Sequence, residues 1–300
     1  MNKELIKGSA LVALGAASYG LLATFVKMAY GHGFTTAEIT TAQSLFGVIG
    51  LFFLNILFSK KRETPKGANT KSIWLLILSG TSMGLTSIFY YLSVKYIAVS
   101  IGIILLMQTV WMGVVLEAIL HKQFPSAIKI IAALIILVGT ALAANMVNVN
   151  VALDWRGVAF GVLAAISYTI ALYSTNSIAL QLPPLRRSFW LLVGSLAIIV
   201  LVFFPSLLQK FTISSLWTWG LFLAVFGTIL PPLLFTKGMP LTGMGWGTII
   251  AAIEIPVSVL MAHWLLHEEI SITQWLGIAL ILGSIALMNL SALRSRRLKA

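Results

Sequence analysis

The chain has 300 residues, of which 59% are hydrophobic and 9% charged. A soluble domain carries nearer a quarter charged residues, so lipid rather than water must solvate most of this surface. A formal net charge of +12 would suit nucleic acid, but the basic residues punctuate apolar runs instead of lining one amphipathic face, which argues against that partner. The absence of cysteine excludes a disulfide frame, a thiolate metal site and a cysteine nucleophile.

A membrane-spanning helix needs ~20 apolar residues, and ten such runs follow in chain order. The first is expected over 8–28. Its start beside Lys3 and Lys7 resembles a signal peptide, but it is a full span long and lacks a small-x-small exit, so it is read as a helix. The next four are expected over 36–58, 72–93, 98–119 and 126–146. The second five are expected over 157–178, 187–206, 215–235, 242–266 and 272–292. Loops are punctuated by Gly31-His32-Gly33, Pro65-Lys66-Gly67, Pro183-Pro184 and Lys237-Gly238-Met239-Pro240. Pro231 and Pro232 predict a kink in the eighth helix, a position suited to gating.

Charge tests the helix count. With ten helices and the N-terminus inside, sixteen of the twenty basic residues fall on the inner side, among them Lys60, Lys61, Arg62, Lys122, Arg186, Arg187 and Arg294. Only Lys27, Lys95, Arg156 and Lys210 fall outside. This is a strong positive-inside bias, and it places both termini in the cytoplasm.

The chain also repeats itself. Gln108 to Asn145 and Glu254 to Asn289 each read as an apolar helix, a short polar turn and a second apolar helix. Leu120-His121-Lys122 falls where Leu266-His267-Glu268 falls, which sets Gln108 against Glu254 and Val110 against Pro256. Residues 1–147 form one five-helix repeat and 148–300 the other, the second with a basic C-terminal tail. Five helices is an odd number, so the second copy enters the membrane from the opposite side. The fold class expected is an all-α integral membrane protein of ten helices in two inverted repeats, a design that serves transporters with a site between the halves.

Three stretches carry a family resemblance. They are Ala252-Ile253-Glu254-Ile255-Pro256-Val257, Leu265-Leu266-His267-Glu268-Glu269, and Gln274-Trp275-Leu276-Gly277 with Gly283. Together they resemble the ninth and tenth helices of EamA-type transporters in the drug/metabolite transporter superfamily. Gly15-Ala16-Ala17-Ser18-Tyr19-Gly20 is similar to that family's opening helix. The sequence departs from the pattern at Val110, where a proline is expected, at His121-Lys122, where an acidic residue is usual, and at Gln43, where an arginine is common. The resemblance implies a ten-helix carrier of small metabolites, often an exporter of amino acids.

Glu254 is the leading site candidate, because a bare carboxylate in mid-membrane is costly and so points to function. It is suited to holding a substrate ammonium or accepting a proton, which makes the proton a candidate coupling ion. Pro256 should loosen the helix beside it and free a carbonyl. Gly247, Ser258 and Met261 should share its face. Gln108, as its repeat mate, both donates and accepts and suits a zwitterion or an amide. Trp111 lies one turn further on. Tyr19 and Tyr168, each following a serine at matching places in the two halves, are expected in a cavity wall, with Tyr90 and Trp246 as further candidates. Trp and Tyr also anchor helices at the membrane interface, and that alternative stands for these aromatics.

The functional expectation is a secondary-active exporter of small amphipathic metabolites such as amino acids, in a bacterial inner membrane, working by alternating access and without a cofactor. A carrier of organic cations is the alternative, since a carboxylate among aromatic rings suits a quaternary ammonium. There is no GxxxxGK[ST] loop for ATP, no metal-ligand spacing and no nucleophile elbow, so an enzyme is not expected. Five helices per half can enclose a cavity unaided, so a monomer is preferred.

Overall fold

The computed structural model describes residues 3–58, 70–97, 99–143, 154–209, 216–267 and 269–297. The Pro65-Lys66-Gly67 loop, the Lys60-Lys61-Arg62 cluster, Lys210, Asn145, Glu268 and the boundary expected at residue 147 lie outside the described residues. Within them every regular element is helical. Eight helices are long and apolar enough to cross a membrane, and the shorter apolar helices Ala127–Ala143 and Ile272–Met288 bring the described number to ten.

The first repeat comprises α1 (Lys3–Gly31), α2 (Thr36–Phe58), α3 (Thr70–Tyr96), α4 (Val99–Leu106), α5 (Thr109–His121) and α6 (Ala127–Ala143). The second begins with α7 (Trp155–Ser177) and α8 (Pro184–Gln209). A π-helical stretch (Leu216–Gly220), one α-helical turn (Leu221–Leu223) and a second π-helical stretch (Ala224–Ile229) lead into α9 (Leu230–Thr242). The chain closes with α10 (Met244–Ala251), α11 (Glu254–Leu266) and α12 (Ile272–Arg297).

Local chemistry sets most of these ends. Thr35 and Glu38 form a reciprocal capping box at the start of α2: Thr35 N donates to Glu38 Oε2 at 2.8 Å, and Glu38 N donates to Thr35 Oγ1 at 3.3 Å. Ser271 and Gln274 repeat the device before α12. Pro184 opens α8, where its missing N–H costs nothing. The turn expected at Lys237 to Pro240 is instead helical: Pro240 has no N–H to give Thr236 O, and Arg187 Nη1 donates to that carbonyl at 2.9 Å. The chain turns at Gly243, whose φ of 81° disfavours other residues.

The fourth and ninth spans, read from sequence as continuous, are each broken in the middle, at Met107-Gln108 and Ala252-Ile253. The breaks also correct the repeat register. Val99 and Met244, Thr109 and Glu254, and the left-handed caps Lys122 and His267 all stand at one constant spacing. It is one residue shorter than the spacing that pairs Gln108 with Glu254. The structural counterpart of Glu254 is therefore Thr109. One residue on a helix is a rotation of about 100°, so Gln108 and Glu254 do not present equivalent faces.

The two halves interdigitate. Helix α1 packs on α9 and α11, α3 on α7 and α8, α2 on α8, and α6 on α12. Small residues allow close approach. A Cβ at Gly80 would collide with the backbone of Leu191, and one at Gly194 with the backbone of Ile77, so α3 and α8 touch main chain to main chain.

Candidate functional site

Between the halves lies a cavity of about 250 Å³, walled mainly by apolar and aromatic side chains. Its deep part is lined by Tyr168, Leu172 and Thr175 of α7, Leu192 and Ser195 of α8, and Phe235 of α9. It extends along α1 past Tyr19 to Lys27 and Tyr30, and along α3 to Tyr90, Tyr91 and Val94. It thus reaches the end of the bundle where α1 and α3 finish. Lys27 is exposed there.

Glu254 enters this cavity because the break before α11 places it in the first turn of a half-helix. Its Oε2 accepts a hydrogen bond from Tyr168 Oη at 3.3 Å. The Tyr168 ring meets Tyr19 edge to face at 6.3 Å, and Tyr19 rests on Phe235 at 5.8 Å. Gly20 lets α1 approach here, since a Cβ would come within 2.6 Å of the Glu254 carbonyl oxygen. A carboxylate bonded to the Tyr168 hydroxyl in a tyrosine-lined cavity can hold a cation, and Lys27 is the only lysine or arginine among the described lining residues.

The sequence candidates therefore separate. Tyr19, Tyr90, Tyr168, Glu254, Ser258 and Pro232 line the cavity together. Gln108, Trp111, Trp246, Pro231, Pro256, Gly247 and Met261 do not. Gln108 is occupied locally. The break shifts its own N–H to Leu105 O, and its side-chain Nε2 donates to the abandoned Ile104 O at 3.0 Å. Its Oε1 accepts from Trp111 Nε1 at 2.9 Å, and Trp111 is exposed on the outer wall of the bundle. Trp246 packs against the central core. Gly247 lies against Met239. The carbonyl freed by Pro256 is that of Ala252, and it accepts the Ile255 N–H at 3.1 Å in a tighter turn.

The kink expected at Pro231-Pro232 takes the form of the π-helical stretch just before it. Leu230 N donates five residues back to Val225 O, and Pro231 has no N–H, so Phe226 O loses its helical donor. Ser18 Oγ supplies the replacement at 2.6 Å.

Sequence reading missed two groups. Arg187, counted as an inner loop charge, is 2% exposed. Its Nε donates to Ile178 O at 2.9 Å, Nη1 to Thr236 O at 2.9 Å and Nη2 to Thr175 O at 2.6 Å. It thereby ties the end of α7 to α8 and α9 beyond the deep end of the cavity. Glu117, half-buried in α5, pairs with Lys129 of α6 against Gly245 at the start of α10. There its charge meets the positive end of the helix dipole. Arg187 carried a faint signal, as the second of the two arginines that follow Pro183-Pro184. Nothing local marked Glu117.

Comparison with known proteins decides the family. The model of the EamA-like transporter family matches the chain twice, over residues 6–145 and 155–290. The chain belongs to the EamA-like transporter family. That agrees with the resemblance carried by the last two spans and points to a transporter rather than an enzyme. An uncharacterized transporter of Archaeoglobus fulgidus is 29% identical over 130 residues, which cover 43% of this chain and 46% of that protein. The match thus spans about half the length of that curated relative. A solved crystal structure shares the fold with a TM-score of 0.75 at 13% identity, covering 96% of this chain and 98% of that one.

Proposed function

We propose that this EamA-like protein is a secondary transporter of small amphipathic metabolites that carry an ammonium group, amino acids among them. The observation that carries the reading is Glu254, a carboxylate hydrogen-bonded to Tyr168 in a tyrosine-walled cavity between the repeats. The positive-inside bias supports N-in and C-in termini in a bacterial inner membrane and hence inverted repeats; without the buried Arg187 it still stands at fifteen against four. In that orientation the cavity opens outward. The Arg187 and Glu117–Lys129 contacts then close the inner end, as expected for one of the two states of an alternating-access exporter. Glu254 is also the group on which a proton would exchange with substrate. The protein is read as a monomer, since the cavity needs no second chain.

Organic cations are the second reading, favoured by Tyr19, Tyr90 and Tyr168, which line the cavity with the carboxylate. Proteoliposomes loaded with labelled amino acids or amines, with and without a pH gradient, test both. Wild-type protein should move at least one of them, and Glu254→Gln should lose that activity while keeping its thermal stability. Glu254→Gln that loses cations but keeps zwitterions favours the second reading. Unimpaired transport of every substrate by Glu254→Gln would sink both.

A further inference from the structure

The cavity has a second polar edge, across α1 from Glu254. Gly227 and Thr228 lie there, in the π-helical stretch, and line the cavity. The residues four and five places after Gly227 are Pro231 and Pro232, and neither has an N–H. Leu230 N, the remaining nearby donor, is committed to Val225 O. The Gly227 carbonyl is thereby stripped of its helical partners, as Phe226 O is, but without the serine that repairs Phe226.

Gln43 of α2 lies against Gly227. It lines the cavity, is 8% exposed, and its amide nitrogen occupies the space that a Cβ on Gly227 would need. Its backbone is pinned, because Thr228 Oγ1 donates to Gln43 O at 3.0 Å. Among the described residues no hydrogen bond engages its side-chain amide. The amide offers two donors and an acceptor, and the neighbouring carbonyl offers one more acceptor. No charged side chain among the described residues lines this edge.

The spacing of the two edges follows from α1. Gly20 faces the Glu254 backbone and Leu22 packs against Gly227. Two residues apart on a helix is about 200° of rotation, so the polar edges flank the Tyr19 face of α1 on opposite sides, roughly 10 Å apart. After allowance for a hydrogen bond of about 3 Å at each end, the bridging groups on a ligand lie at least roughly 4 Å apart, and further along a path that curves round α1. An α-ammonium and its own carboxylate are too close together for this.

We propose that Gln43 and the Gly227 carbonyl form a second subsite that takes a neutral donor–acceptor group, of carboxamide type, on a substrate whose ammonium is held by Glu254. The ammonium half of this statement rests on the reading of Glu254 above. The substrate class is then an elongated amine with a distal carboxamide, whose carbonyl accepts from Gln43 and whose N–H donates to Gly227.

The test is equilibrium binding to the purified full chain in detergent with three probes: hexylamine, hexanamide and 6-aminohexanamide. Wild type should bind 6-aminohexanamide about tenfold more tightly than hexylamine, the gain from one or two net hydrogen bonds. Gln43→Met, which keeps the length of the side chain, should remove that advantage and leave hexylamine unchanged. Gly227→Ala should act in the same direction by displacing the amide. Glu254→Gln should weaken both amines and spare hexanamide. Equal binding of hexylamine and 6-aminohexanamide by wild type, or an unchanged ratio in Gln43→Met, overturns the subsite. Undiminished hexylamine binding by Glu254→Gln overturns the carboxylate reading alone, and a Gln43-dependent affinity for hexanamide then still supports the subsite. Binding of none of the three by wild type overturns both.

Discussion

Replacing Arg187 with methionine isolates what a buried guanidinium contributes to a membrane bundle. Methionine fills similar space without donors. It strands the carbonyls of Ile178, Thr175 and Thr236, which now accept bonds of 2.9, 2.6 and 2.9 Å. An unpaired buried carbonyl costs about 1–3 kcal/mol, so three together come to roughly 6 kcal/mol. Against this, the wild type bears the cost of burying the charge itself, several kcal/mol that the variant no longer carries. A net loss of about 3–4 kcal/mol results, large for one substitution. At roughly 2–4 °C per kcal/mol for a chain somewhat smaller than this one, the midpoint of thermal unfolding should fall by about 10 °C. Tryptophan fluorescence of the purified protein in detergent reads this directly. Arg187→Lys should recover only part of the loss, because one ammonium cannot span carbonyls on both α7 and α9. A Met variant within about 2 °C of wild type, or a Lys variant as damaged as Met, would refute the reasoning.

Other substitutions probe the remaining contacts by the same unfolding measurement. Gln108→Leu should cost about 1–2 kcal/mol through the lost bond to Ile104 O and leave substrate affinity unchanged; a drop in affinity without a drop in stability would move Gln108 into the site. Ser18→Ala should cost about 1–2 kcal/mol by orphaning Phe226 O. That cost should shrink in a Pro231→Ala background, which restores an N–H nearby, and a cycle showing no coupling would count against the account of the π-helical stretch. Gly80→Ala should destabilise by about 1–3 kcal/mol, because the added methyl meets Leu191 backbone that cannot rotate away. A neutral outcome there would mean that α3 and α8 are less closely packed.

Much of the cavity wall was readable as spacing. Gln43 and Ser44 fall three and four residues after Thr40, on one face of α2. Met83, Thr86, Ser87 and Tyr90 do the same along α3, and all of them line the cavity. Tyr19 and Tyr168 were found from their matching positions in the repeat. Gln108 was chosen by an alignment one residue out of register, and in a helix that error turns the side chain away from the cavity. The breaks were half visible. Pro256 marks the one in the ninth span, but the fourth is broken without any proline, and the Gln108 amide does the repair.

Composition, hydrophobic run lengths and the doubled pattern are one-dimensional properties, and they were enough to determine a helical membrane protein of two related halves; the transporter family came from the resemblance of the last two spans. They act through the lipid, which requires every span to satisfy its own backbone and therefore fixes helix number almost from text alone. Which half packs on which, which way each polar residue points, and where freed carbonyls find donors depend on contacts between residues far apart in the chain. Arg187 looked like a loop charge until α7 and α9 closed over it. Gly227 looked like an ordinary small residue until two prolines left its carbonyl without a helical donor and α2 brought the Gln43 amide against it at the cavity edge.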